Sequence, residues 1–137
     1  GLVVPGGGDG GPYYLIRPLS DSEFDTELLQ AILSHPAVDH YVTSIGKKYR
    51  GEYAVHRKAY LVNVPLPKLN DHDAKQIRNM VFECRQLSIQ IRDEADSQRR
   101  SVAIDRKRYL HTEINSLISK AYKITKELLE DVGLSEF

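Results

Sequence analysis

Five cations crowd twelve positions near the middle of the chain: Lys47, Lys48, Arg50, Arg57 and Lys58, with Glu52 the only acid among them. Gly51 sits inside the group, and Tyr49 and Tyr53 stand on either side of it. A segment that contacts nucleic-acid phosphates needs positive charge on a backbone able to come close to the duplex, and a glycine permits that approach. The two tyrosines can stack or hydrogen-bond at the DNA edge. These residue types therefore support binding of a polyanion rather than making or breaking a bond. A solvated surface loop is the plain alternative for any run of charges.

Other arrangements fall short of a chemistry. Gly6, Gly8 and Gly11 match the letters of a dinucleotide-binding turn, yet Pro12 and the strand-like Tyr13-Tyr14-Leu15-Ile16 follow where that fingerprint requires a helix. Nor does a lysine with a serine or threonine follow, as a P-loop needs. The glycine run reads instead as a turn between two strands. His35, His40, His56, His72 and His111 are scattered, and His35 with His40 has the wrong spacing for two metal ligands on one helical face. Asp93, Glu94 and Asp96 lie beside arginines at a helix end, where surface pairing is the ordinary role. No catalytic residue and no metal site is expected. Cys84 is the single cysteine, which excludes an internal disulfide and a cysteine-based zinc site and suits a reducing cytoplasm.

These residues need elements to hold them. With 137 residues the chain is long enough for one domain that folds without disulfides, and no apolar run approaches a membrane span or a signal peptide. The start at Gly1, with Leu2-Val3-Val4 resembling a strand entered partway, points to a piece of a longer polypeptide. Net charge is zero but unevenly distributed: Ser20 to Ser44 holds Asp21, Glu23, Asp25, Glu27 and Asp39 with no lysine or arginine, directly before the basic segment.

Ser20 or Asp21 can cap a helix in which Phe24, Leu28, Leu29, Ile32 and Leu33 recur at helical spacing. Pro36 starts a second helix, with Val38, Tyr41, Val42 and Ile45 on one face, that should end near Gly46. Lys47 to Lys58 reads as a loop with a short strand, and Tyr60 to Val64 as a further strand stopped by Pro65-Leu66-Pro67. After a cap at Asn70 or Asp71, Ile77, Met80, Val81, Cys84, Leu87 and Ile91 form one apolar stripe, and Ile114, Leu117, Ile118, Ala121, Ile124, Leu128 and Leu129 form another. The polar stretch between them predicts a break near Arg99 to Asp105, with the two helices antiparallel and Gly133 ending the second.

Three pieces in this order resemble the specificity region that follows the catalytic domain in N6-adenine DNA methyltransferases of the TaqI-like and combined restriction-methylation (type IIG) enzymes. The first is the helix-rich segment Phe24 to Ile45. The second is Lys48-Tyr49-Arg50-Gly51-Glu52-Tyr53, followed by Arg57-Lys58-Ala59-Tyr60-Leu61 and Pro65-Leu66-Pro67. It is similar to the family's arginine-glycine-glycine-tyrosine loop and its proline-any-proline ending, with Glu52 in place of the second glycine. The third is the paired-helix tail closing on Leu128-Leu129-Glu130-Asp131-Val132-Gly133-Leu134. The proline pair leading into a long helix also resembles the specificity subunits of type I restriction systems.

The resulting expectation is an α+β chain: the C-terminal part of a DNA target-recognition domain over residues 1–68, built of small strands and helices, then a long antiparallel α-helical hairpin over 69–137 as spacer or docking region. Lys47, Lys48, Tyr49, Arg50, Gly51, Tyr53, Arg57 and Lys58 are the expected DNA-binding residues. The family's methyl transfer needs a glycine-rich cofactor loop and an asparagine- or aspartate-proline-proline-aromatic motif for the flipped adenine, and the sequence holds neither. The resemblance thus implies a non-catalytic, cytoplasmic module with no cofactor of its own. Duplex DNA and an upstream methyltransferase domain or subunit, which would use S-adenosylmethionine, are the implied partners. The rival reading is a protein-protein interaction or dimerisation module that self-associates through the helical hairpin.

Overall fold

Aromatic and branched residues pair at the start of the chain, where β1 (Leu2–Pro5) and β2 (Tyr13–Ile16) form an antiparallel two-stranded ribbon with Leu2 opposite Ile16 and Pro5 opposite Tyr13. In this computed structural model the described residues are 2–5, 13–50, 64–131 and 133–134, with backbone alone for 2–5, 13–15, 43 and 45–50. They fall into two compact units, Gly1–Leu66 and Pro67–Phe137.

The first unit continues with α1 (Thr26–Leu33) and α2 (Pro36–Arg50). Asp25, not Ser20 or Asp21, caps α1, its carboxylate accepting the Leu28 N–H at 3.0 Å. Leu28, Ala31 and Ile32 from α1 and Val38 and Val42 from α2 are buried. Pro36 occupies the first helical position of α2, where its missing N–H is no loss. Buried His35 precedes it and acts as the cap: its Nδ1 accepts the Ala37 N–H at 3.0 Å. A ring nitrogen that accepts carries no proton, so Nδ1 is the bare nitrogen in this arrangement.

The second unit is an antiparallel helix pair with a short appendix. Asn70 caps α3 (Asp71–Asp93) reciprocally: its side-chain oxygen accepts the Asp73 N–H at 2.7 Å, and its amide donates to the Asp73 carboxylate at 3.2 Å. Asp96 caps α4 (Ser97–Tyr122) by accepting from the N–H groups of both Gln98 and Arg99. The seam holds Ile77, Val81 and Cys84 on α3 and Ala103, Leu110, Ile114 and Ile118 on α4, all buried. Leu87 and Ile91, expected in the same seam, are only half-buried. Arg106 fastens the helices at mid-length with two hydrogen bonds to Glu83, at 2.7 and 3.1 Å. A six-residue helix, α5 (Lys126–Asp131), follows.

The expected α+β class is therefore corrected. The described residues are mostly helical, and apart from two four-residue strands no strand-and-helix recognition part is formed among them. Two local misreadings account for much of this. Gly46 does not end α2, which runs on to Arg50, because one glycine costs a helix only about 1 kcal/mol and the lysines and arginine beyond it are good helix formers. The polar stretch after Asp93 is likewise not a long break: three residues, Glu94 to Asp96, make the turn, and α4 begins at Ser97. The strand expected over Tyr60 to Val64 lies outside the described residues as far as Asn63, and Val64 has no regular structure. The glycine run from Gly6 to Gly11 also lies outside them.

Candidate nucleic-acid interface

Lys47, Lys48, Tyr49 and Arg50 occupy consecutive positions in the last turn of α2. This replaces the expected loop with a helix end for half of the set. Gly51, Tyr53, Arg57 and Lys58 lie outside the described residues. The structure thus brings three of the five cations onto one helical turn. A helix C-terminus carries partial negative charge on its unpaired carbonyls, so cations there stabilise the helix, typically by about 0.3 to 1 kcal/mol each. That is the plain account of Lys47, Lys48 and Arg50.

The acidic cluster near the hairpin turn is structural. Asp93 accepts from Arg92 at 2.9 and 3.3 Å, Glu94 accepts the Asp96 N–H at 3.0 Å, and Asp96 caps α4. Arg100 donates to the Glu94 carbonyl at 2.6 and 3.2 Å, which ties the turn to the first coil of α4. No group of three histidine, cysteine or acidic residues is placed to hold a metal among the described residues. Burial pushes the Cys84 thiol up from its ordinary value, against a reactive thiolate. Hydrogen bonding by Arg106 holds the Glu83 carboxyl below the usual range. None of these groups forms an acid, base or nucleophile set.

A feature that sequence reading missed is a cleft of about 390 Å³ between the end of α4 and α5, with Ser116, Lys120, Ile124, Lys126 and Leu129 among its walls. The only signal for it in sequence was the apolar Ile124 and Leu129 recurring past the end of α4. Its walls combine apolar Ile124, Leu129 and Leu134 with Lys120, Lys126 and the acidic Glu130. Among the described residues, no helix is long and apolar enough to cross a membrane. Comparison with known protein families, characterised proteins and solved structures finds no match to this chain.

Proposed function

We propose that the chain is a DNA-recognition module of a restriction-modification N6-adenine methyltransferase, non-catalytic in itself, that works beside an upstream methyltransferase domain or subunit. The observation that carries this reading is the gathering of Lys47, Lys48, Arg50, Arg57 and Lys58 about Gly51, with Glu52 the only acid among them, from the end of α2 onward. The order of motifs resembling TaqI-like and type IIG specificity regions supports it. In this reading S-adenosylmethionine belongs to the upstream partner, duplex DNA is the ligand, and the setting is the cytoplasm.

The test is duplex binding by the intact enzyme over a range of salt. Each neutralised phosphate contributes a slope of about −0.9 in log affinity against log salt, so three to five contacts give roughly −3 to −4.5. Arg50→Ala should lower affinity on every duplex and flatten the slope by about one unit if it touches phosphate alone. It should instead relax sequence preference if it reads a guanine edge. Gly51→Val should weaken binding through lost close approach. If both substitutions leave affinity, slope and preference unchanged, the segment is a bystander.

A second reading, a protein interaction module, is favoured by the large apolar side chains that the α3 and α4 pair leaves exposed: Phe82, Ile89, Val102 and Tyr109. Concentration-dependent self-association in sedimentation, without DNA affinity, would support it over the first.

A further inference from the structure

We draw no further inference here: the strongest candidate, the outward face of the α3/α4 pair that leaves Phe82 and Ile89 exposed, carries nothing because nothing in the structure shows what covers it.

Discussion

Lys123 closes α4 in the left-handed region, at φ 59° and ψ 35°, a conformation that costs a residue with a Cβ roughly 1 to 2 kcal/mol. The same closure recurs after α5, where Gly133 takes φ 76° and the Leu134 N–H reaches the Leu129 carbonyl at 2.9 Å. At α4 the matching bond runs from the Ile124 N–H to the Ser119 carbonyl at 2.8 Å. The two ends thus share a geometry and differ in residue. Lys123→Gly should raise the stability of the second unit by about 1 kcal/mol, read as a shift in urea midpoint, whereas Gly133→Ala should lower it. A Lys123→Gly variant less stable than the parent would show that the lysine side chain makes up for its backbone. Gly133 was expected to end the second hairpin helix, but that helix ends at Tyr122, and Gly133 follows the separate α5. The stop at Lys123 was not legible, because nothing in a lysine's type announces positive φ.

At the scale of elements, burial ranks the stripe that periodicity drew as uniform. Ile77 is 0% exposed, whereas Leu87 lies near the turn, where the helices cover less of it. Ile77→Asp should therefore cost at least about 3 kcal/mol, since an unpaired charge would be sealed in an apolar seam. Leu87→Asp should cost about 1 kcal/mol. Equal losses in urea unfolding would mean that the seam extends further than its burial shows. The apolar stripes were readable because both helices repeat every three to four residues. The helix ends were harder to read: Gly46 resembled a stop, and the apolar-poor residues from Asp93 to Arg108 resembled a break. In fact a missing stripe reports only a solvated face, and arginine, glutamine and lysine are content in a helix there. For the candidate interface, charge count revealed the cations, but the helical setting of Lys47 to Arg50 was hidden by Gly46.

At the scale of the whole molecule, the second compact unit is organised around one turn. In the second unit nearly everything hangs on a turn of three residues, Glu94 to Asp96, which Asp96 organises by capping and Arg100 fastens through the Glu94 carbonyl. The Arg106 to Glu83 bridge spans only 23 positions of sequence. Closing so short a loop sacrifices little chain entropy, and each further rung of the pair then adds to one already formed. The hairpin should consequently zip from its turn toward Asn70 and Tyr122 within microseconds to milliseconds after a temperature jump. Asp96→Ala, which removes two capping hydrogen bonds at the origin of that zipper, should slow refolding in proportion to the stability it removes, whereas Asn70→Ala at the far end should chiefly hasten unfolding. A cap of similar chemistry would then matter to the speed of assembly at one end of the hairpin and to its lifetime at the other.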